Sequence, residues 1–146
     1  LVIASGAIRN EGTSKEYLPL EFPAVANHEI ITALIEAAES LKKNYHIGVV
    51  HCKDSFYGQH TPGKMPVGYE LEHKWEAYLA GGALCSEMES AALFTVGSYR
   101  KVRVGTILLA VANQEREKQG LENVFADDTE SAIKTAIEAV RVLIRK

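Results

Sequence analysis

Two carboxylates flank a methionine in residues 86–90 (Ser-Glu-Met-Glu-Ser), immediately before an apolar run at residues 91–94. An ionised carboxylate only accepts hydrogen bonds and can take two hydroxyl donors at once, so it suits a vicinal diol such as ribose O2′ and O3′. Glu89 is the candidate for that diol, Met88 would supply apolar contact to the sugar, and Glu87 would stand beside it. The segment is therefore a candidate sugar-binding site.

The same five residues also have a purely structural interpretation. Ser86 could be the N-cap of a helix that carries the apolar run, with both acids in the first turn, where the helix dipole favours negative charge. Capped acidic helix starts are common in proteins. The local pattern by itself leaves both interpretations open.

A second candidate segment, residues 53–69, contains three glycines and two prolines. We predict an irregular loop there, and loops of this length inside compact domains are usually functional. Phe56 could stack on a flat heterocycle, and the amide of Gln59 could both donate and accept, as a carbonyl beside a ring N–H requires. The structural alternatives are a core-filling anchor for Phe56 and a solvated loop side chain for Gln59.

Hydrophobic patterning indicates the elements that would position these segments. Buried strands are predicted at residues 1–7, 46–51 and 102–112, and the last is a continuous apolar run of the kind covered on both faces. Helices are predicted from an N-cap at Asn27 to about Lys42, over residues 70–79, and from Asp127 or Asp128 to the end. The predicted apolar face of the final helix consists of Ala132, Ile133, Ala136, Ile137, Val140, Leu143 and Ile144. Strands alternating with helices imply an α/β domain.

Composition narrows the class of protein. The 146 residues suit one domain, and 47% hydrophobic with 24% charged residues is typical of a globular chain. A net charge of −3 with no basic stripe argues against a nucleic-acid or membrane partner. Cys52 and Cys85 form no Cys-x-x-Cys pair, which favours reduced thiols and a cytoplasmic location. The histidines lack metal-ligand spacing, so no metal site is expected.

Several segments together resemble one family. Glu-Gly-Thr-Ser at 11–14, Pro-Leu-Glu-Phe-Pro-Ala at 19–24, Lys-Asp-Ser-Phe-Tyr-Gly-Gln at 53–59 and the run at 86–90 follow its order and approximate spacing. The chain resembles the nucleoside phosphorylases of the hexameric class over nearly its whole length, and most of all the members that act on uridine. The resemblance implies an α/β fold with a mixed, twisted, partly barrel-like sheet flanked by helices in three layers.

The same resemblance implies a reaction and roles for the residues. The reaction would be reversible phosphorolysis of uridine to uracil and ribose 1-phosphate, with orthophosphate as co-substrate, no other cofactor and no covalent nucleophile. Its transition state would be oxocarbenium-like. Glu89, Met88 and Glu87 would bind ribose. The base would contact Phe56, Gln59, Asn113 and Gln114.

The resemblance also implies what lies outside these residues. The chain opens on an apolar run without an initiator methionine, so we expect residues 1–146 to be the C-terminal portion of a single domain. The phosphate-binding segments would lie upstream of Leu1, with a further arginine from a neighbouring subunit of a homo-oligomer, a hexamer arranged as a trimer of dimers. The 146 residues alone are therefore expected not to catalyse phosphorolysis.

Two departures from the family pattern concern the base. Thr61 stands where uridine-cleaving members of the enterobacterial type carry an arginine that reaches a uracil carbonyl, so Lys64, His60 or water would have to supply that donor. Asn113 stands where purine-cleaving members carry an aspartate that protonates the leaving base, and an amide cannot act as that acid. This favours a pyrimidine. The alternatives are a purine phosphorylase or nucleosidase of the same fold, and a non-catalytic nucleoside-binding module.

Overall fold

A computed structural model describes residues 1–145 as a mixed sheet flanked by helices. The strands are β1 (Val2–Asn10), β2 (Ala24–Val25), β3 (His46–Lys53), β4 (Ser86–Glu87) and β5 (Thr106–Leu108). The helices are α1 (Thr13–Tyr17), α2 (His28–Ser40), α3 (Phe56–His60), α4 (Gly68–Ala80), α5 (Ser90–Arg100), α6 (Gln114–Lys118) and α7 (Thr129–Arg145), with a 3₁₀ turn at Pro62–Lys64. The predicted α/β class is confirmed.

The sheet is built around β1, and its order is β2-β1-β3-β4 with β5 also paired to β1. Strands β1, β3 and β4 run parallel, whereas β2 and β5 pair with β1 in the antiparallel direction. A register shift between Ala4 and Gly6 leaves Ser5 as an extra residue in β1. The sheet is open, so the mixed, helix-flanked architecture is confirmed without closure into a barrel.

Alternating residues of β1 face two cores on opposite sides of the sheet. Val2 and Ala4 pack with Phe94 of α5, whereas Ile3 packs with Leu34 of α2 in a cluster that also includes residues of α7. This alternation is the period-two pattern of a strand covered on both faces. The result is a three-layer arrangement of α5, the sheet, and the α2–α7 pair.

The predicted start of α2 is confirmed in detail. Asn27 is the N-cap, and its side-chain oxygen accepts from the backbone N–H groups of Glu29 and Ile30. These bonds satisfy donors that the first helical turn leaves without partners. The sequence pattern therefore located this boundary correctly.

The strand predicted over residues 102–112 is mostly wrong. Only Thr106–Leu108 pairs, and it does so along Val2–Ala4 of β1. The next part of β1, at Gly6 and Ala7, is paired with β2. Beyond Leu108 the chain has no ladder partner among the described residues, and Val111 is 51% exposed.

Burial of two other predicted elements also differs. Strand β3 is buried only from Val50 onward, because Val50 and Cys52 join the core around Phe94, whereas Ile47 and Val49 belong to neither core cluster and are 43% and 42% exposed. The face of α7 that packs on α2 is rotated from the predicted apolar face and includes small side chains such as Ala139. Four residues of the predicted face are therefore exposed: Ile133, Ile137, Val140 and Ile144.

The segment predicted to be irregular, residues 53–69, contains short regular elements. Ser55 caps α3 by accepting from the backbone N–H of Gly58 at 3.1 Å. The 3₁₀ turn at Pro62–Lys64 then leads into α4. Glycine and proline spacing marked this segment as unusual but could not reveal a five-residue helix held by a serine cap. Across residues 1–145 no helix has the length and apolarity required to cross a lipid bilayer.

Candidate active site

The polar side chains of interest gather where the parallel strands end. Asn10 is the last residue of β1, Lys53 the last of β3 and Glu87 the last of β4. Asn10 is in register with Lys53, and Cys52 is in register with Glu87. Because the carboxyl ends of parallel strands meet at one sheet edge, this is where α/β proteins usually bind ligands.

A cavity of about 610 Å³ opens at this edge, between the sheet and the helices α3, α4 and α6. It has the size of a small-molecule site. Its walls combine aromatic, amide and charged side chains, including His51, Lys53, Gln59, Trp75, Tyr78 and Gln114.

Lys53 connects the two candidate segments. Its ammonium donates to the Gln59 Oε1 and, at 2.9 Å, to the Ser86 Oγ. The Phe56 ring centroid lies 5.8 Å from Nζ, a cation–π distance. One buried side chain, 6% exposed, thus joins helix α3, which carries Phe56 and Gln59, to the start of the acid-Met-acid run.

The two candidate amides of the base site are brought together. The Gln59 Nε2 lies 3.4 Å from the Gln114 Oε1, and the Gln114 Nε2 lies 3.5 Å from the Gln59 backbone oxygen. Both residues line the cavity, although they lie 55 positions apart in the sequence. Since Gln59 is half-buried and bonded to Lys53, the solvated-loop alternative is wrong.

Helix α5 begins later than the N-cap interpretation of Ser86 requires. Ser86–Glu87 is strand β4 and the helix starts at Ser90. The carboxylate of Glu87 performs the capping, since its Oε2 accepts from the backbone N–H groups of Glu89 and Ser90 at 2.9 and 2.7 Å. The Glu87 Oε1 is buried and has no hydrogen-bond partner within residues 1–145.

Met88 and Glu89 lie at the surface beside this cap. Met88 is 38% exposed and Glu89 is exposed, and neither lines the cavity. The only hydrogen bond of the Glu89 carboxylate to the described part of the chain is a long one, 3.3 Å from the Met88 backbone N–H. The carboxylate therefore retains acceptor positions for other donors.

Phe56 does not fill the core, so that alternative is wrong. Its ring is 53% exposed, meets Tyr57 edge-on and lies 4.1 Å from the His60 ring centroid. Asn113 lies outside the cavity lining, and its side chain caps α6 by accepting from the Arg116 backbone N–H at 3.0 Å. Of the two neighbouring amides at the start of α6, only Gln114 reaches the cavity.

His51 forms part of the cavity wall that sequence reasoning did not identify. Its ring is 4% exposed, lies against Tyr78 with centroids 4.7 Å apart, and accepts at Nε2 from the Asn10 amide at 3.0 Å. Burial, reinforced by the positive charge of Lys53, lowers the pKa of His51 from 6.5 to about 4. The ring is therefore neutral at physiological pH.

This pKa shift predicts a pH-dependent stability. Between pH 6.5 and about 4 the unfolded chain binds a proton that the folded His51 does not, so stability falls as the pH falls through that window. Replacing His51 with Phe, which keeps a ring against Tyr78, is expected to make that fall shallower. Urea unfolding at neutral pH and at about pH 5 measures it.

The control for the histidine test is His73→Phe, a substitution of an exposed histidine in α4. It is expected to leave the pH dependence of unfolding as it is in the wild type. An equal slope in the wild type and in His51→Phe would show that the folded His51 titrates like an exposed histidine.

The two cysteines are free, as predicted, and neither is a nucleophile at neutral pH. Burial raises the pKa of Cys52 to about 12 and that of Cys85 to about 11. Both thiols therefore stay protonated.

Arg9, next to the end of β1, is buried and holds the loop that follows α1. Its side chain is 9% exposed and donates to the Ser14 side chain and to backbone oxygens of residues 14, 18, 19 and 22. The buried carboxylate of Glu11 accepts from the same Ser14, at its backbone N–H and its hydroxyl. The Glu-Gly-Thr-Ser segment thus forms the turn from β1 into α1, beside the strand edge.

Lys53 and His51 are the site residues that sequence reasoning missed. The available signal was a charged residue at the carboxyl end of a β-branched strand. Of the two donors suggested in place of the missing arginine, His60 lines the cavity, whereas Lys64 is exposed and does not line it.

Comparison with known proteins places this geometry in context. A family model described as the phosphorylase superfamily matches residues 1–145. The chain is 57% identical to a uridine phosphorylase of Treponema pallidum (strain Nichols), over 99% of this chain and 56% of that protein. It is 40% identical to a uridine phosphorylase of Thermococcus kodakarensis over 98% of this chain and 50% of the relative. The uridine phosphorylase of Escherichia coli (strain K12) is 31% identical, over 99% and 58%. The chain thus spans little more than half the length of these relatives.

Proposed function

Since the chain belongs to the phosphorylase superfamily, we propose that the complete protein catalyses reversible phosphorolysis of uridine. Orthophosphate attacks the anomeric carbon, and uracil and ribose 1-phosphate are the products. The single observation that carries the proposal is the Lys53 junction, where one ammonium bonds both to Gln59 and to Ser86. It joins a surface suited to a flat base to a surface suited to a sugar.

On the base side, we assign stacking to Phe56 and hydrogen bonding to the pair Gln59 and Gln114. The exposed ring of Phe56 is available for stacking on a heterocycle. The paired amides offer donors and acceptors at the cavity wall. Asn113 contributes by capping α6, which carries Gln114, and not by proton transfer.

On the ribose side, we assign the diol to Glu89 and apolar contact to Met88. The Glu89 carboxylate keeps acceptor positions for two hydroxyls. Glu87 acts through the backbone, because its capping bonds hold Glu89 at the start of α5.

The remaining parts of the proposal rest on the family. Orthophosphate is the co-substrate, and no organic cofactor or metal takes part. The enzyme acts as a homo-oligomer, in which a neighbouring subunit completes the phosphate site. The two free thiols favour a reducing, cytoplasmic compartment.

The test is phosphate-dependent release of uracil by the complete protein. We expect cleavage of uridine with phosphate, little without it, and much slower cleavage of inosine or adenosine, because Asn113, at the position of the aspartate of purine-cleaving members, carries an amide that cannot protonate a purine. Preference for a purine, or cleavage independent of phosphate, would favour the other enzyme classes of this fold. Uridine binding without turnover would favour a non-catalytic module.

A further inference from the structure

Lys53 is a buried cation without an ion-pair partner in the described part of the chain. Its side chain is 6% exposed, and the ion pairs within residues 1–145 do not include it. Burying an ammonium is costly unless charge and hydrogen bonds compensate it. Burial also lowers the pKa of Lys53, and the nearby Glu87 charge opposes that effect.

The ammonium has a donor to spare. It carries three N–H groups, and its hydrogen bonds within residues 1–145 go to two neutral acceptors, Gln59 Oε1 and Ser86 Oγ. Because Lys53 lines the cavity, the third N–H is available to an occupant of that cavity. An occupant that bears or develops negative charge would supply the missing compensation.

The Lys53 Nζ lies among the side chains that we assign to the base. It contacts Gln59, it lies 5.8 Å from the Phe56 ring centroid, and Gln114 follows at 3.4 Å from the Gln59 amide. These are the side chains assigned to the base, and Thr61, at the position of the expected arginine, carries no charge. Among the side chains around this part of the cavity, Lys53 is the one that is both buried and positively charged.

We propose that Lys53 is the donor that polarises a carbonyl of the bound pyrimidine and stabilises the departing base, an inference that rests on the proposed phosphorolysis. As a phosphate oxygen forms its bond to C1′, the C1′–N1 bond breaks and its electron pair stays on N1, delocalised onto the carbonyl oxygens. The lysine holds that negative charge without giving up its proton. Solvent then protonates the free uracil anion.

A fixed donor stabilises negative charge that develops in the transition state more than the same contact does in water. The reason is that the donor is already oriented and the site partly excludes water. Lys53 also holds the Gln59 oxygen, which leaves the Gln59 Nε2 directed elsewhere. The lysine thus has two separable effects, a charge effect on the leaving base and a positioning effect on Gln59.

Leaving-group chemistry separates these effects. In the complete protein, Lys53→Met is expected to lower kcat/KM for uridine about 100-fold, as loss of one such donor does. Fluorine at C5 withdraws electrons and stabilises the negative charge of the departing anion, so this anion depends less on the protein for stabilisation. The loss for 5-fluorouridine is therefore expected to be clearly smaller than for uridine.

A second variant, Lys53→Gln, removes the charge but can still form hydrogen bonds, so the test remains valid if the methionine variant folds poorly. Thermal unfolding shows whether each variant is folded. Lys53→Gln is expected to show the same difference between the two substrates, whereas Lys53→Arg should regain part of the uridine activity. Lys134→Met, an exposed lysine of α7 paired with Glu130, is the matched control and should match the wild type.

Each outcome has a distinct meaning. Equal losses for uridine and 5-fluorouridine in both uncharged variants, or no loss, would overturn the role of Lys53 and leave the proposed function standing. If the wild-type complete protein released no uracil from uridine in the presence of phosphate, the proposed function itself would fail, and this inference with it.

Discussion

Replacing Glu89 with alanine in the complete protein is expected to lower kcat/KM for uridine about 100-fold. A hydrogen bond to a charged group contributes about 1.5–3 kcal/mol, and the carboxylate would accept from two hydroxyls, so a loss of about 3 kcal/mol is a conservative sum. Little structural damage should accompany it, because Glu89 is exposed and the only hydrogen bond of its carboxylate to the described residues is the 3.3 Å contact to the Met88 N–H.

The comparison with 2′-deoxyuridine makes the test specific to the diol. That substrate lacks one of the two hydroxyls, so the alanine substitution should cost it less than it costs uridine. Glu16→Ala, an exposed acid in α1, is the control and should change neither value. An equal loss for both substrates would assign Glu89 a role other than holding the diol.

Replacing Arg9 with methionine is expected to lower the free energy of unfolding by about 3–5 kcal/mol, because it removes several hydrogen bonds from a charged donor, about 1.5–3 kcal/mol each, and leaves buried oxygens without a partner. The guanidinium bonds to Ser14, Leu18, Pro19 and Phe22, so its loss would release the turn between α1 and β2. Such a change is a large fraction of the stability of an ordinary domain. Urea unfolding measures it, provided that the slope with denaturant stays constant.

Arg103→Met is the matched control for the arginine test. Arg103 pairs with Glu29 across the surface, with side chains 58% and 62% exposed, and such pairs contribute about 0–1 kcal/mol. A loss for Arg9→Met no greater than that of the control would contradict the structural role assigned to Arg9. Arg9→Lys should remain destabilised, because a lysine ammonium has three N–H donors and lacks the planar geometry of the guanidinium group.

Local signals in the sequence were reliable where a single turn decides the structure. Asn27 was recognisable as an N-cap because its bonds reach only two and three residues ahead. The candidate functional segments were also recognisable, since they combine residue types that rarely serve a core. Gln59 and Gln114, predicted from opposite parts of the chain, do meet at the cavity.

Other predictions failed where contacts with elements distant in the sequence decide the structure. Residues 102–112 have the composition of a buried strand, but β1 offers β5 only the edge at Val2–Ala4 because β2 occupies the next part. The apolar stripe predicted for α7 was only partly right: Leu143 packs against the core with Val142 and Ala139, whereas most of the stripe's large side chains are exposed. Ser86 had the chemistry of an N-cap but lies in a strand, so Glu87 became the cap.

The sequence by itself determined the α/β class, the family resemblance and the candidate site segments, because those properties depend on residue type and short spacing. Only the tertiary structure decided that Lys53 joins Gln59 of α3 to Ser86 of β4 and that Arg9 is buried. The physical reason is register. Pairing β3 in parallel with both β1 and β4 brings Asn10, Lys53 and Glu87 to one edge, and no local pattern specifies that alignment.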